Sequence, residues 1–287
     1  MKKPFFIGIG TPRSGSTTIS ELLKKSKDVD VPYMKELHFF SNSYIFKKGK
    51  DWYESHFDSN PKLCSGEFTP SYFFHEKVPK RIYDYYHDDI KFIVCLRNPV
   101  KRAFSYYNHN FNRGLEKRSF NKAIKDEIEG KEKKINKRYI FQSLYSKHIN
   151  RFFSYFNRKN FLFLIFEEDI VGEQKDLKMK LSSFLNILLE DDLKPIKRNQ
   201  TSSSRFLFIN KFIHEDNPIK KIGGFFLPSL KLRRKVMFFL SNLNRSNKKK
   251  EKKELDINTY NKLMELYFFD DISKTEKLIS KDLSLWK

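Results

Sequence analysis

Near its start the chain reads Phe5-Phe6-Ile7-Gly8-Ile9-Gly10-Thr11-Pro12-Arg13-Ser14-Gly15-Ser16-Thr17-Thr18. The run predicts a buried strand, a tight glycine-containing loop and a helix that begins at Ser16. In that geometry backbone N–H groups and the helix dipole point at an anion, usually a phosphate. The two loop glycines keep the spacing of the ATPase loop G-x-x-x-x-G-K-[ST], but Ser16 stands where that loop has its lysine. Arg13 is the nearest cation, so the predicted site lacks the lysine that contacts β- and γ-phosphates.

A second apolar strand is predicted over residues 91–96, and it ends at Arg97. In ATPases and GTPases an aspartate that follows a comparable strand helps to hold Mg²⁺. An arginine at this place attracts anions and repels a metal ion. Ser105 follows in the first turns of a predicted helix, and together with Arg97 it suits a second phosphate. The sequence therefore indicates a nucleotide with two separate phosphate groups and no required metal.

These two motifs resemble the 5′- and 3′-phosphate-binding motifs of the sulfotransferases, enzymes that use 3′-phosphoadenosine 5′-phosphosulfate (PAPS). Three further segments follow in the family's order. Residues 35–40, Lys-Glu-Leu-His-Phe-Phe, resemble the Glu-x-His-Phe-Phe motif of the heparan sulfate N- and 3-O-sulfotransferase branch, and residues 69–82 and 163–170 are similar to the same enzymes. The C-terminal residues 271–286 resemble the closing helix of bacterial members. Only residues 112–137 and 214–254 lack such a resemblance.

The resemblance implies a role for each matching residue. Glu36 would be the general base, His38 would position the acceptor, and Arg13 would stabilise charge on the bridging oxygen of PAPS. If residues 35–40 are extended, Glu36 and His38 face one side and Lys35 the other. The residues implied to bind the nucleotide are Arg13, Ser14, Gly15, Ser16, Thr17 and Thr18 at the 5′-phosphate, Arg97 and Ser105 at the 3′-phosphate, and Arg205 in a closing loop. PAPS would be released as adenosine 3′,5′-bisphosphate, without a metal.

Two departures from the heparan sulfate branch concern the acceptor rather than the donor. Phe68 stands before Thr69 where the 3-O-sulfotransferases have a lysine, and Ser41 stands where they have an acidic residue after the double phenylalanine. The sequence therefore leaves the acceptor open between a saccharide hydroxyl or amine, a lipid-linked glycan and a small molecule.

Short apolar strands that alternate with helices predict a P-loop-like three-layer α/β/α fold with a largely parallel sheet. Strands are expected at 4–10, 28–33, 62–66, 91–96 and 161–166. Single helices are expected over 138–158 and 203–213, among others. No glycine-, serine- or proline-rich linker divides the chain, so we expect one sulfotransferase domain over 1–287 with helical or basic insertions around 112–137 and 214–254.

Composition gives weaker indications. The net charge of +22 accompanies abundant Lys, Asn, Phe, Ile and Tyr, which is typical of a compositional bias. It also leaves room for peripheral contact with an anionic membrane. No signal peptide or membrane-spanning run is predicted, and Cys64 and Cys95 read as small apolar residues in a reducing compartment, which favours the cytoplasm.

Three other classes of protein share some of these features. A P-loop nucleotide kinase needs a lysine at position 16 and an acidic residue after the second strand. A specific nucleic-acid binder needs aromatic side chains interleaved with basic ones, whereas the aromatics here lie in apolar runs. A catalytically inactive relative that binds nucleotide and glycan is harder to separate, because Phe68 is compatible with lost activity.

Overall fold

The computed structural model describes residues 3–32, 35–57, 64–190, 203–204, 245–246 and 254–287. The chain divides into two compact units. The first comprises Met1–Ala103, Ile140–Arg198 and Ile257–Lys287, and the second comprises Phe104–Tyr139 and Asn199–Asp256.

A five-stranded sheet forms the centre of the first unit. Its strands are β1 (Phe6–Gly8), β2 (Val29–Asp30), β3 (Cys64–Phe68), β4 (Lys91–Leu96) and β5 (Phe161–Ile165), in the order β2-β3-β1-β4-β5. Every neighbouring pair is parallel; Ile7 of β1 lies between Glu67 of β3 and Phe92 of β4. Each of the five predicted strands is present, and the carboxyl ends of β1, β3 and β4 meet at one edge of the sheet.

The described helices follow in chain order. They are α1 (Ser16–Lys25), α2 (Ser43–Phe46), α3 (Gly49–Glu54), α4 (Val78–Tyr86), α5 (Pro99–Asn112), α6 (Phe120–Ile128), α7 (Tyr145–Phe153), α8 (Gln174–Leu185), α9 (Ile257–Leu263) and α10 (Phe269–Ile279). Short turns of tighter or wider helix occupy Pro70–Phe74, Ile135–Lys137, Phe141–Ser143, Arg158–Asn160, Phe166–Ile170, Met264–Phe268 and Ser284–Trp286.

Both faces of the sheet are covered, because alternate side chains of each strand point to opposite sides. On one face Phe6, Ile93 and Leu164 pack in one apolar cluster with residues of α1 and α8. On the other, the Phe92 ring packs against Phe152 of α7 with centroids 5.5 Å apart. The predicted three-layer α/β/α fold with a parallel central sheet is confirmed.

One helix prediction is wrong, and a second is tested at only two of its residues. The region 138–158 contains a tight turn at Phe141–Ser143 and a shorter helix, α7. Two polar residues of the turn, Gln142 and Ser143, hold it in place. Their side chains accept hydrogen bonds from the fully buried guanidinium of Arg102, at 3.4 and 2.7 Å. The helix predicted over 203–213 is described only at Ser203–Ser204, which pair antiparallel with Arg245–Ser246; the rest of that range lies outside the described residues.

The second unit contains the whole of the predicted insertion around 112–137. Arg118 holds it together by ion pairs to Glu116, Asp126 and Glu132, with N···O distances of 2.7, 2.9 and 2.7 Å. The Glu116 carboxylate is nearly fully buried, and its bond to Arg118 is of the charge-assisted kind that offsets such burial.

Cys64 and Cys95 are buried free thiols, as the sequence predicts. None of the helices within the described ranges is long and apolar enough to span a bilayer.

His148 provides a test of the packing in the first unit. It is fully buried on α7, its Nε2–H donates to the Phe141 carbonyl oxygen at 2.8 Å, and burial lowers its pKa from 6.5 to about 3. The unfolded chain therefore takes up a proton near pH 6.5 that the folded protein takes up only near pH 3. Stability from neutral His148 is complete above pH 6.5 and is lost as the pH falls through that window, at about 1.4 kcal/mol per pH unit.

We expect the free energy of unfolding of His148→Gln to fall less steeply between pH 6.5 and 4 than that of the unmutated protein, measured by urea denaturation. Glutamine keeps an N–H donor for Phe141 but has no proton to gain. The exposed His87→Asn is the control, and its slope should match the unmutated protein. Equal slopes for His148→Gln and the unmutated protein would contradict the assignment.

Candidate active site

The loop between β1 and α1 lies directly against the carboxyl end of β4. A side chain at Gly10 would meet the backbone nitrogen of Cys95 at 1.8 Å, and Thr11 donates its N–H to the Cys95 carbonyl at 2.9 Å. Thr11 and Ser14 hydroxyls are 2.6 Å apart within the loop. Gly15 then turns the chain into α1 with φ of 90°, a conformation that disfavours any side chain.

The first turn of α1 is open to an anion. Gly15 caps it without a side-chain hydrogen bond, and no acidic residue lies in the turn. The first N–H groups of a helix lack partners within the helix and carry its positive dipole end. Ser16, Thr17 and Thr18 add hydroxyls at the same place, so the geometry predicted for a phosphate loop is present.

Lys35 supplies the lysine that the loop sequence lacks. Its Nζ lies 2.8 Å from Thr17 Oγ1 and 3.3 Å from Ser16 Oγ. Its side chain is 17% exposed, and burial lowers its pKa, while the Glu36 carboxylate, whose Oε1 lies 3.9 Å away, acts in the opposite direction. The sequence analysis missed this residue because an extended 35–40 would have turned Lys35 away from Glu36.

Residues 35–40 are not extended throughout. Glu36 and His38 have φ of 67° and 53°, in the left-handed region. The two side chains nevertheless meet, with His38 Nε2 3.6 Å from Glu36 Oε2, and both are nearly half exposed. Leu37, Phe39 and Phe40 of the same segment are buried. These apolar side chains anchor the segment, while the Glu36 and His38 side chains stay partly exposed.

Backbone strain is concentrated at the predicted catalytic residues. Among the described residues, six that are not glycine have positive φ. Three of them, His87, Asn186 and Ser280, end helices, where this conformation is common. The other three are Arg13, Glu36 and His38. Such residues persist only where the surroundings over-determine them, which is typical of active sites and ligand clamps.

Arg97 joins the phosphate loop to the end of β4. It donates to the backbone carbonyl of Arg13 at 3.1 Å, and its guanidinium lies 4.4 Å from the centroid of the Phe166 ring. Its buried Nε makes no hydrogen bond in the described chain, and Glu167 Oε1 is 4.0 Å away. Burial lowers the pKa of Arg97, but a guanidinium starts so high that it stays charged. A half-buried cation whose Nε has no hydrogen bond to the described residues is suited to an anion.

The remaining nucleotide-binding predictions are distributed differently. Ser105 lies half-buried on α5, in the second unit, whereas Arg97 belongs to the first. Arg205 lies outside the described residues.

The two departures have different structural meanings. Phe68 is 1% exposed and packs edge-on against Phe6, with ring centroids 5.7 Å apart, so it belongs to the core. Ser41 is half-buried and its hydroxyl donates to the His38 carbonyl at 3.4 Å. The position that holds a lysine in the resembling branch therefore carries a core aromatic side chain.

Positive charges lie close to His75. Its pKa is lowered to about 4, mostly by burial and in smaller part by the charges of His38, Arg151 and Arg81. Arg81 also donates to the Phe40 carbonyl at 2.8 Å. Within the described ranges no group of three His, Cys, Asp or Glu side chains could hold a metal ion.

Comparison with known sequences gives relatives at moderate identity. Heparan sulfate glucosamine 3-O-sulfotransferase 5 of Mus musculus is 31% identical over 189 residues, which are 64% of this chain and 54% of that protein. The membrane-associated sulfotransferase kil1 of Dictyostelium discoideum is 36% identical over 110 residues, 37% of this chain and 22% of that protein. The chain thus spans about half the length, or less, of these curated relatives.

Comparison with solved structures supports the fold. The crystal structure of a sulfotransferase from Alicyclobacillus acidocaldarius has a TM-score of 0.71 at 22% identity and covers 100% of this chain and 99% of that one. The model of the family described as "Sulfotransferase domain" matches residues 3–220, which include the phosphate loop, Lys35, Glu36, His38 and Arg97. The chain belongs to the sulfotransferase family.

Proposed function

We propose that this protein transfers a sulfuryl group from PAPS to a hydroxyl or amine of an acceptor, with a glycan as the favoured class. In the transfer the bond between sulfur and the 5′-phosphate oxygen breaks, a bond from sulfur to the acceptor atom forms, and the acceptor proton passes to Glu36. Adenosine 3′,5′-bisphosphate is the other product. The observation that carries the proposal is the juxtaposition of the Ser16 and Thr17 hydroxyls, the Lys35 ammonium and the Glu36 carboxylate.

The residues of the phosphate loop fit the 5′ end of such a donor. The free N–H groups of α1, the hydroxyls beside them and the Lys35 ammonium are all suited to a doubly anionic phosphosulfate. Arg13 adds a second cation from within the loop. The groups proposed to hold this end are Arg13, Ser14, Gly15, Ser16, Thr17, Thr18 and Lys35.

The 3′-phosphate is assigned to Arg97 and Ser105, with Arg205 closing over the nucleotide. The buried Nε of Arg97 without a hydrogen bond supports this assignment, since such a donor costs free energy until an acceptor arrives. The Arg97 bond to the Arg13 carbonyl would couple the two phosphate sites. Ser105 and Arg205 rest on the family motif alone.

Glu36 is the proposed general base. Its carboxylate is nearly half exposed and therefore reachable by an acceptor, while Lys35 and His38 lie at its two oxygens. Lys35 is placed to stabilise charge on both the phosphosulfate and the base, and His38 to position the acceptor. Preorganised charges of this kind are usually the largest contribution to catalysis.

A glycan acceptor is proposed for two reasons. The relatives named above include enzymes named for a heparan sulfate glucosamine. The Lys35 ammonium also lies 3.9 Å from the Glu36 carboxylate, and Arg81 and Arg151 bring positive charge close to His75; such cations suit an acidic saccharide. A cytoplasmic location remains a prediction from the sequence.

Glu36→Gln should lower kcat by about 10²–10⁴-fold, the usual range for loss of a general base. Glutamine has nearly the same shape but cannot take the acceptor proton, so the affinity for adenosine 3′,5′-bisphosphate should stay within about twofold of the unmutated protein. The assay is steady-state sulfuryl transfer, with bisphosphate binding measured by calorimetry. Glu173→Gln, at an exposed carboxylate, is the control. A kcat close to the unmutated value would remove Glu36 from this role.

Arg97→Ala should abolish the preference for adenosine 3′,5′-bisphosphate over ADP. Charge-assisted hydrogen bonds to a 3′-phosphate are worth roughly 1.5–3 kcal/mol, or about one to two decades of affinity. In thermal unfolding the bisphosphate should stabilise the unmutated protein at concentrations where ADP does little. The exposed Arg158→Ala should keep that preference, and Arg13→Ala should weaken both ligands. If ADP and the bisphosphate stabilise the unmutated protein equally, the assignment of Arg97 fails.

Transfer should continue in the presence of a strong chelator, and ATP hydrolysis should be undetectable. The charge that Mg²⁺ neutralises in a P-loop kinase is assigned here to Arg13, Lys35 and Arg97. The measurement is transfer with and without chelator, and phosphate release from ATP. A strict Mg²⁺ requirement would favour the kinase alternative.

A further inference from the structure

We infer that Glu67 is a positioning residue for the proposed base: its buried carboxylate orients two hydroxyls that hold the backbone of the segment carrying Glu36 and His38. The inference rests on the proposed function for its catalytic consequence. The contacts between Glu67, the two hydroxyls and this segment all lie within the first unit.

Glu67 is a buried hub at the carboxyl end of β3. It is 1% exposed and accepts three hydrogen bonds, from Tyr53 Oη at 3.0 Å, Tyr72 Oη at 3.0 Å and Thr69 Oγ1 at 2.6 Å. Burial raises its pKa, whereas the three hydroxyls and the nearby His38 act to lower it. A carboxylate in such a place needs several donors, because a buried charge without them is strongly disfavoured.

Three alternate backbone N–H groups of the catalytic segment are fixed by the chain that follows Glu67. Glu36 N–H donates to the Phe68 carbonyl at 3.1 Å, Phe40 N–H donates to Tyr72 Oη at 3.2 Å, and His38 N–H makes a longer contact of 3.5 Å to Thr69 Oγ1. The spacing is that of a strand edge, but two of the three acceptors are side-chain hydroxyls. We name these three contacts the side-chain ladder.

The Thr69 and Tyr72 hydroxyls that donate to the Glu67 carboxyl group give the side-chain ladder its direction. A hydroxyl has one hydrogen to donate, and where Thr69 and Tyr72 donate it to Glu67, only lone pairs remain for the N–H groups of His38 and Phe40. An amide at position 67 would present N–H to one of these hydroxyls. That hydroxyl would then point its own hydrogen elsewhere, and its bond to the segment would weaken.

The side-chain ladder also accounts for the strained backbone. Glu36 and His38 have left-handed φ values that their side chains disfavour, so other contacts must hold them. Fixing the N–H of each of these residues, together with that of Phe40, holds the turn that brings Glu36 beside Lys35. Loss of the side-chain ladder would remove three of the contacts that place the Glu36 carboxylate relative to the phosphate loop.

Tyr72→Phe and Tyr53→Phe form a matched pair that tests the inference. Each removes one hydroxyl bond to Glu67, but only Tyr72 also holds the Phe40 N–H. Tyr72→Phe should lower kcat by about 10–10²-fold, since small misplacement of a reacting group is enough for such a loss. Its affinity for adenosine 3′,5′-bisphosphate should stay within about twofold. Tyr53→Phe should keep kcat within about threefold of the unmutated protein.

A second readout does not depend on activity. Amide hydrogen exchange of a peptide spanning residues 35–42 should accelerate about tenfold or more in Tyr72→Phe and remain near the unmutated rate in Tyr53→Phe. Glu67→Gln should behave like Tyr72→Phe. Glu54→Gln is its control, because the Glu54 carboxylate is also buried but accepts from Tyr86 Oη and has no part in the side-chain ladder. Thr69→Val should resemble Glu67→Gln more weakly, and Thr69→Ser should restore the unmutated rates.

The positioning role of Glu67 and the proposed sulfuryl transfer are tested by different outcomes. Equal exchange and equal kcat in Tyr72→Phe and Tyr53→Phe would overturn the positioning role, whatever the reaction. If the unmutated protein transfers no sulfuryl group to any acceptor, the proposed function fails, and the exchange rates alone decide whether the side-chain ladder exists.

Discussion

Parallel pairing of β1 with β3 and β4 is the constraint on which the rest of the site depends. Because all three strands run in the same direction, the phosphate loop after β1, the Glu67–Tyr72 segment after β3 and Arg97 after β4 emerge at one edge of the sheet. This is where open α/β sheets bind ligands. The close approach of Gly10 to the Cys95 backbone then fixes the loop against β4.

Charge is arranged around that edge in a way that explains the absent loop lysine. Lys35 reaches the α1 hydroxyls from a different segment, and it comes with Glu36 as its sequence neighbour. One short segment therefore contributes a cation to the proposed donor site and a carboxylate to the proposed acceptor site. Because Lys35 and Glu36 are adjacent in the chain, any shift of the segment moves both side chains together. The side-chain ladder that holds the segment therefore affects the proposed donor site and the proposed acceptor site alike.

The fold was predictable from sequence to a large extent. β1, β4 and β5 are mainly apolar runs, and Gly10, Gly15 and Arg97 stand where β1 and β4 give way to the loops beyond them. The positive φ of Glu36 and His38 was not predictable, because neither is glycine and the surrounding pattern reads as extended. Taking the segment as extended conceals the contact of Lys35 with the α1 hydroxyls. The role proposed for Glu67 was equally unpredictable. Its three hydrogen-bond donors are distant in the sequence or are placed by local turns, which hydrophobic periodicity does not reveal.

The most direct test of the central claim is incubation of the unmutated protein with sulfur-labelled PAPS and a panel of acidic and neutral glycans, with chelator present. We expect label in at least one glycan and release of an equal amount of adenosine 3′,5′-bisphosphate. Tight binding of the bisphosphate without label in any glycan, amine or small hydroxyl acceptor would contradict it and would instead indicate an inactive nucleotide-binding relative.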